Sequence, residues 1–360
     1  MKKFLTVWII GGLFFQSACT QTQIIDTQRI IHVAGFDINK NKEVQGTILY
    51  PDYTRGVQTK PKIQSTSADS IETIASRMNG KSPHNVVVGQ MRTVLFGKSF
   101  GTYGIGDIVD NLHRDPNIGR DVQFAFVDGS AEKLLKHIAS NGSLYLSDLL
   151  DQNMMNENIP RATLNVFLYD YYSYGSDPFI PYIQMSNNKA ATVKGLAFLK
   201  KDKVVMFTDQ KDSFLVKLLT HPTKNGRYET SIQKDGHKGL IVTQNLSGKS
   251  TYSLDGDGEI PKVNIHLKLN GLIKNSPSWL NLTKPQNIAY IKKQIEQTME
   301  KQSKALIQQF QQKQIDPLGI QDQIRSRTRK WNIQQIHKMY PSVDVNIDVK
   351  VNVVQSGIGE

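Results

Sequence analysis

The sequence contains a single cysteine, Cys19, among its 360 residues. One cysteine cannot form an internal disulfide, so the fold does not rest on a disulfide framework. After the first fifteen residues, no apolar run reaches the roughly 20 residues that a membrane-spanning helix needs. Internal repeats with a period of about 20–50 residues are also missing, which excludes a solenoid or a propeller. The length and a hydrophobic content of 39% indicate a folded protein with more than one domain.

Residues arranged for catalysis or metal binding are also missing. The eight histidines show no metal-ligand spacing and form no H-E-x-x-H motif. No G-x-S-x-G elbow is present, and Cys19 lies too close to the chain start to act as a buried nucleophile. The sequence therefore predicts no catalytic, cofactor-binding or metal-ligating residue, and we expect a protein that is not an enzyme and needs no cofactor.

Two segments match ligand-binding loops only in part. Residues 75–82 fit a relaxed phosphate-loop pattern in which alanine replaces the first glycine. A helix is expected before this segment and a strand after it, which reverses the order that phosphate binding requires, so Gly80 is interpreted as a helix cap. Residues 255–259 are acidic enough to attract Ca²⁺ but lack the glycine and glutamate positions of a calcium loop. A tight acidic turn is the favoured interpretation there.

The start of the chain has the pattern of an export signal. Lys2 and Lys3 precede an apolar segment at residues 4–15, and small residues then lead to Cys19. Gln16-Ser17-Ala18-Cys19 is similar to the bacterial lipobox, although Gln16 stands where that pattern prefers leucine. We predict a lipoprotein signal peptide over residues 1–18 and lipidation of Cys19 by diacylglycerol and a further acyl chain such as palmitate. Two or three acyl chains hold a protein stably on a membrane. An ordinary secretory signal with an incidental cysteine is the alternative.

The formal net charge of +12 limits the choice of partners. A basic protein can bind nucleic acid or an anionic surface. An exported, tethered chain rarely meets nucleic acid, so we expect no nucleic-acid partner. Attraction to anionic lipid headgroups is one interpretation of the charge, and a solvated basic face without a dedicated partner is the other.

Strand and helix signals alternate through residues 19–190, the predicted N-terminal α/β region, which can be divided into two domains. Strand-like stretches lie at residues 47–50, 86–88, 93–96 and 122–126. Helical spacing occurs at residues 71–78, with Asp69 and Glu72 as a capping box, at residues 105–112, and at residues 131–138 after Ser130. The polar residues 57–69 are interpreted as a loop. The alternation predicts a sheet with helical crossovers.

Residues 191–360, the predicted C-terminal α+β domain, have a different pattern. A hairpin is expected at residues 193–206, and residues 263–269 and 343–353 alternate between apolar and polar side chains, as half-buried strands do. Between those strands, Pro285 opens a long helix whose apolar stripe ends near Phe310, and a more basic helix follows at residues 321–339. The stripe is expected to pack on its own sheet rather than on a partner. An antiparallel sheet with a long helix on one face is the predicted architecture.

These patterns together resemble the Ger(x)C family of spore germination lipoproteins. The motifs that carry the resemblance are the lipobox, Ala34-Gly35-Phe36-Asp37, residues 82–89 and 112–114, residues 193–201, Asp316-Pro317-Leu318-Gly319-Ile320, Arg329-Lys330-Trp331 and the terminal strand that ends at residues 353–357. They cover essentially the whole chain in the family's order. One departure is Gln321, which stands where the family often has a second glycine.

The resemblance implies a three-domain α+β fold and residence on the outer face of the spore inner membrane. It also implies two integral-membrane partners, the A- and B-type subunits of a nutrient-responsive germinant receptor. Whether the nutrient contacts this subunit is left open. The rival interpretation is a solute-binding lipoprotein of an importer, which would have two doubly wound lobes around a cleft. The basic run Arg325, Arg327, Arg329 and Lys330 is either a membrane- or partner-facing patch or a solvated face.

Overall fold

The computed structural model describes residues 28–52, 60–255, 260–328 and 332–354. The strands are β1 Gln28–Ile30, β2 Val33–Ile38, β3 Val44–Tyr50, β4 Lys62–Ala68, β5 Asn85–Val87, β6 Thr93–Phe96, β7 Gln123–Val127, β8 Phe179–Ser186, β9 Ala190–Lys200, β10 Lys203–Phe207, β11 Arg227–Lys234, β12 His237–Asp255, β13 Lys262–Asn275 and β14 Asp344–Val353. The helices are α1 Ile71–Gly80, α2 Phe100–Tyr103, α3 Gly106–Arg114, α4 Ala131–Ile138, α5 Tyr145–Met155, α6 Leu164–Tyr171, α7 Gln210–Thr220, α8 Pro285–Lys313, α9 Ile320–Arg327 and α10 Ile333–Met339. The mixed α+β class predicted from the sequence is confirmed.

Eight strands form the larger sheet, in the order β10-β9-β8-β7-β6-β2-β3-β4. Its centre, β2, β6, β7 and β8, is parallel, and helices lie in the connections, as the alternating signals predict. Antiparallel hairpins extend the sheet on both sides. Because both faces of the centre are covered, every residue of β6 and β7 is buried. The sheet takes strands from both sides of residue 190, since β8 pairs with β9.

The two faces of this sheet contribute to two separate hydrophobic cores. On β7, Phe124 and Phe126 belong to one core, and Ala125 and Val127 to the other, because successive side chains of a strand point to opposite faces. The core that contains Ala125 continues into the C-terminal part of the chain. Thus one face of the large sheet shares its interior with the C-terminal elements, and the other is covered by α1, α3 and their neighbours.

The smaller sheet has the order β11-β12-β13-β14, with α8 packed across it. Its inward side chains alternate with outward polar ones, as predicted for residues 263–269 and 343–353. Helix α8 begins at Pro285 and buries a stripe of apolar residues: Ile291, Ile295, Met299, Leu306, Ile307 and Phe310. The stripe therefore packs within the protein, as expected. In the described part of the chain, no helix combines the length and apolar character needed to cross a bilayer.

One strand pair differs from the predicted antiparallel arrangement. β13 and β14 run parallel, with Val263 opposite Val345 and Leu267 opposite Val349. Parallel neighbours require a long crossover connection, and here α8, α9 and α10 provide it. Alternation of side chains shows which face of a strand is buried but not the direction of its neighbour, so the sequence could not reveal this pair.

Three local predictions need correction. The loop expected at residues 57–69 contains an edge strand, β4, whose polar residues pair with β3, as in the hydrogen bond of 3.0 Å between the hydroxyls of Thr47 and Ser65. Helix α1 is capped by Ser70 rather than Asp69, because the extended backbone of Ser70 lets its hydroxyl accept the Thr73 N–H at 3.3 Å. The single helix expected at residues 321–339 is two helices, since Thr328 is extended and Asn332 caps α10 with a capping box.

Candidate functional site

The N-terminal and C-terminal parts of the chain meet at a buried junction of two short connections. One is the segment between α6 and β8, and the other is the turn between α8 and α9. The Asp177 N–H donates to the Asp316 carbonyl at 3.1 Å, and the Asp316 N–H donates to the Asp177 carboxylate at 2.7 Å. The Asp316 carboxylate accepts the Gln321 N–H at 2.6 Å. Residues far apart in sequence are therefore held together by reciprocal hydrogen bonds.

Backbone geometry explains why a turn forms at this point. Gln314 adopts a left-handed conformation that ends α8, and Gly319 adopts another, with φ of 69°, immediately before α9. A β-carbon at Gly175, on the opposing segment, would lie 2.4 Å from an Asp322 carboxylate oxygen. Only glycine permits this close approach, so the aspartate turn and the segment after α6 are matched in shape.

The carboxyl groups at the junction are protonated more readily than usual. Burial raises the pKa of Asp316 to about 7, and the nearby charge of Asp177 adds to this rise, whereas peptide N–H groups of the turn oppose it. Burial raises the pKa of Asp170 to about 6, and the Ser176 hydroxyl, which donates to Asp170 at 2.9 Å, opposes that rise. Burial also raises the pKa of Asp177. With a pKa of about 7, Asp316 is protonated in part of the molecules near neutral pH, which reduces its repulsion with Asp177 and suits a junction that holds the two parts together.

The outer rim of the junction is formed by exposed tyrosines. Residues 169–174 contain four tyrosines, of which Tyr169 and Tyr174 are each 76% exposed and Tyr172 is 54% exposed. Tyr169, Tyr172 and Tyr174 line a shallow cavity of about 520 Å³ together with Asp322, Arg325 and Ile333. Grouped, exposed aromatic side chains are typical of protein interaction surfaces. The sequence analysis did not identify this segment, although the density of tyrosine was a readable signal.

Part of the basic run predicted as a patch lies beside this rim. The Arg325 guanidinium donates to the Asp322 carboxylate at 3.0 Å, and Arg327 donates to the carbonyl of Tyr252. Both arginines therefore have partners within the protein. Arg329 and Lys330 lie outside the described residues, as does Trp331, so the choice between a patch and a solvated face stays open.

Other sequence-predicted sites are spread over the fold. In residues 75–82, α1 ends at Gly80 with Lys81 as its cap, and the Lys81 ammonium donates to the Thr66 hydroxyl at 3.1 Å. The helix therefore occupies most of this segment instead of preceding it, and Gly80, predicted as the cap, is its last residue. β5 follows the helix, so the strand–loop–helix order of a phosphate loop is not formed here. Of the acidic residues 255–259, only Asp255 is described, at the end of β12. Within the described ranges, no group of three or more His, Cys, Asp or Glu side chains could hold a metal ion. The predicted signal peptide and Cys19, the predicted lipidation site, lie outside the described residues.

Comparison with known proteins matches the chain along most of its length. Residues 21–185 match the family described as "Spore germination protein N-terminal domain", and residues 194–357 match "Spore germination B3/ GerAC like, C-terminal". The spore germination protein GerQC of Bacillus cereus is 29% identical over 363 residues, which is 100% of both chains. The putative spore germination protein YfkR of Bacillus subtilis (strain 168) is 22% identical, covering 82% of this chain and 79% of its own.

A solved structure gives independent support for the fold. The crystal structure of the GerBC protein matches with a TM-score of 0.58 at 13% identity, covering 89% of this chain and 97% of the other. At that identity the match shows only that the two folds are similar. The two family matches cover well over half of the chain. This protein therefore belongs to the GerAC-like family of spore germination proteins.

Proposed function

We propose that this protein is the non-enzymatic, lipid-anchored C-type subunit of a spore germinant receptor. It acts as a scaffold that couples two integral-membrane subunits, of the A and B types, on the outer face of the spore inner membrane. The observation that carries the proposal is that family matches cover both halves of a chain whose only cysteine, Cys19, directly follows an export signal. The name of the relative GerQC, a spore germination protein, supports the same role.

The proposed anchor limits how far the body of the protein can lie from the membrane. With a lipid on Cys19, nine peptide links separate the membrane surface from Gln28, the first described residue. An extended chain of that length spans at most about 32 Å. The body of the protein is thus confined to the vicinity of the bilayer. Cleavage before Cys19 removes Lys2 and Lys3 and lowers the net charge from +12 to +10, which still attracts anionic headgroups. Confinement raises the local concentration of the subunit near membrane partners.

The coupling role rests on the junction. Reciprocal hydrogen bonds between Asp177 and Asp316 join the N-terminal and C-terminal parts of the chain. The large sheet also shares a core with α8, in which the rings of Phe198 and Phe310 lie 4.9 Å apart. In this proposal, a displacement of one part reaches the other through these contacts. We assign the exposed Tyr169 and Tyr174, which flank the same junction, as the contact surface for a partner subunit.

The first experiment compares spores that carry Cys19→Ala with spores that carry Ser17→Ala, which keeps a small residue in the lipobox. Cys19→Ala is expected to release the protein from the inner-membrane fraction and to abolish germination with one class of nutrient. Ser17→Ala is expected to leave both unchanged. Normal germination with every nutrient, despite release of the protein, would refute the tethered role. A loss of solute uptake with intact germination would instead support the importer interpretation.

A second arm tests the contact surface. The double variant Tyr169→Ser, Tyr174→Ser removes exposed aromatic area without touching the core, so the fold and the membrane fraction should be unchanged. Recovery of integral-membrane subunits with the affinity-tagged protein is expected to fall about tenfold. The matched control is Tyr103→Ser, an exposed tyrosine on α2. Equal recovery with the double variant and the wild type would exclude this surface as the contact.

A further inference from the structure

We propose that a cleft between α1 and α3 binds a small aliphatic amphiphile whose head carries both an ammonium and an acidic group. The cleft has a volume of about 420 Å³, within the range of small-molecule sites. Its floor is formed by β2 and β3, and its side by β5 and the residues that follow it. It lies on the face of the large sheet whose core is separate from the core shared with α8.

The side chains that line the cleft favour a ligand with an aliphatic chain. The apolar lining residues are Ile31, Ala34, Phe36, Ile48, Ile74, Ala75, Met78, Val86, Val88, Met91, Ile108, Leu112 and Ile118. Phe36 is the one aromatic residue in this described lining, so the surface offers little for a flat ring to stack on. Methionine side chains adapt their shape to irregular aliphatic partners. Burial of an alkyl chain here would remove apolar surface of both partners from water.

The cleft stays open for structural reasons. α1 packs directly on β3 because Gly46 has no side chain, and a β-carbon there would lie 2.6 Å from a methyl carbon of Ile74. The Asn79 side chain accepts the Val86 N–H at 2.8 Å, which fixes the end of α1 to β5. These two contacts hold α1 on the sheet at one side of the cleft and leave space between α1 and α3. The cleft is therefore preformed.

A second, polar cavity of about 250 Å³ adjoins the cleft and determines the head group. The two cavities share Ile108, Asn111 and Arg114 of α3. The charged residues that line the polar cavity are Asp69, Asp107, Asp110 and Arg114. The Arg114 guanidinium lies 3.9 Å from the Asp110 carboxylate in a loose, exposed ion pair, so an acidic group of a ligand can replace Asp110 in the planar pairing typical of arginine. The carboxylates of Asp69 and Asp107 favour an ammonium beside it. A zwitterionic head on an alkyl chain matches both compartments.

Two sources could supply this chemistry, a free α-amino acid with an aliphatic side chain or an aminophospholipid. The lipid source rests on the proposed anchor, because Ile31 lies only three residues after Gln28, where the tether from Cys19 ends. The amino acid source does not depend on the anchor. Binding itself is measured without reference to germination, so failure of this inference is distinguishable from failure of the receptor role.

The test uses the full chain in nanodiscs of phosphatidylglycerol, a lipid without an amino group. Equilibrium dialysis of labelled 2-aminooctanoate, corrected with empty nanodiscs, is expected to give saturable binding to one site. Across 2-aminobutanoate, 2-aminohexanoate and 2-aminooctanoate, Kd should tighten about fourfold per added methylene, since each buried methylene contributes about 0.8 kcal/mol. Unsaturable binding, or a Kd that does not change along the series, would overturn the proposal.

Variants locate the site. Ala75 and Ser76 are both exposed on α1, but only Ala75 lines the cleft. Ala75→Trp is expected to weaken binding of 2-aminooctanoate at least tenfold by filling the mouth, and Ser76→Trp is expected to leave it unchanged. Equal binding by wild type and Ala75→Trp would contradict the proposal. Thermal unfolding of both variants checks that the tryptophan has not disrupted α1.

Substitutions of the residues that contact the head group test the site even if Ala75→Trp unfolds. Asp107 and Arg114 are exposed, so replacing them should leave the fold intact. 2-Aminooctanoate should bind about tenfold tighter than octylamine or octanoate. In Arg114→Gln, 2-aminooctanoate should no longer bind more tightly than octylamine. In Asp107→Asn, it should no longer bind more tightly than octanoate. Unchanged preferences in both variants would refute the zwitterionic head. Labelled 2-aminooctanoate is then displaced either by lysophosphatidylethanolamine or by unlabelled 2-aminooctanoate. If the lysolipid displaces it at lower concentrations, the source is the aminophospholipid. If the lysolipid needs higher concentrations, the source is the amino acid.

Discussion

The eight-stranded and the four-stranded sheet bury their strands in different ways. In the large sheet, β6 and β7 are covered on both faces, and the side chains of the two faces belong to separate hydrophobic cores. In the small sheet, β13 and β14 turn one row of side chains to α8 and the other outward. This difference determines where a cavity can form. Helices cover the large sheet on both faces, and a cleft can lie between two helices on one of those faces. The one-sided sheet offers a flat polar surface instead.

The outward face of the small sheet is an in-register ladder. On β13 and β14, Asn264 lies opposite Asn346, and their side chains are 3.2 Å apart, while Lys268 lies opposite Lys350. Polar pairs of this kind suit a solvated surface. The small sheet is thus stabilised by the packing of its inner face against α8, whereas the large sheet is stabilised by two hydrophobic cores.

The largest effect is expected where the two regions share an interior. Phe310→Ala should lower the free energy of unfolding by about 3–5 kcal/mol, because Phe310 is fully buried and its ring contacts Phe198 of the large sheet. Urea denaturation, followed by probes in both regions, should show a single earlier transition.

The matched control for this variant is Gln309→Ala, an exposed neighbour on α8, which should change stability by less than about 0.5 kcal/mol. If Phe310→Ala unfolded the small sheet alone and left the large sheet at its original midpoint, the two regions would not share a cooperative core.

The junction is expected to make stability depend on pH. The pKa of Asp316 is about 7 in the folded protein and ordinarily 3.8, so the folded state binds more protons between these values. Stability should therefore be greatest below about pH 4 for this group and fall as the pH rises towards 7, by roughly 2–4 kcal/mol. Asp170, with a pKa of about 6, acts in the same direction up to that pH.

Urea midpoints between pH 4 and 8 measure this dependence. Asp316→Asn should flatten the decline up to about pH 7, since the amide cannot ionise. Asp212→Asn removes a group away from the junction whose pKa burial raises to about 6, so it should remove a smaller share of the decline, and only up to about pH 6. A decline of equal size in Asp316→Asn and wild type would show that Asp316 is not the group responsible.

The smallest effect concerns the outward ladder. Lys268 and Lys350 are like charges directly opposite each other, so Lys350→Glu should stabilise the protein by about 0.2–1 kcal/mol at low salt. The gain should shrink as salt screens the pair. Lys274→Glu makes the same charge change near the end of β13, away from a lysine partner on β14, and should gain less. A larger gain for Lys274→Glu would indicate that net charge, not the ladder, sets the effect.

Sequence patterns predicted the parts of the fold in which one face of an element is buried. The alternation at residues 343–353 and the stripe that starts at Pro285 correspond directly to β14 and α8. β4 was missed because an edge strand gains its hydrogen bonds from β3 and does not require apolar residues. The parallel pairing of β14 was missed because strand direction depends on the connection, not on the strand itself.

The junction could be predicted only in part. The resemblance drew attention to the turn at Asp316, but its partner Asp177 lies 139 residues away, and no local pattern links the two. Burial of a carboxyl group is a tertiary property, so the raised pKa of Asp316 could not be read from the sequence. The tyrosines at residues 169–174 were visible in the sequence, but their exposure was not.

The most direct test of the central claim is mass spectrometry of the protein purified from the inner membrane of dormant spores. The account predicts an N-terminal peptide that begins at Cys19 and carries a diacylglycerol on its sulfur. A mature chain that begins elsewhere, or one that begins at Cys19 with a free thiol, would contradict the account.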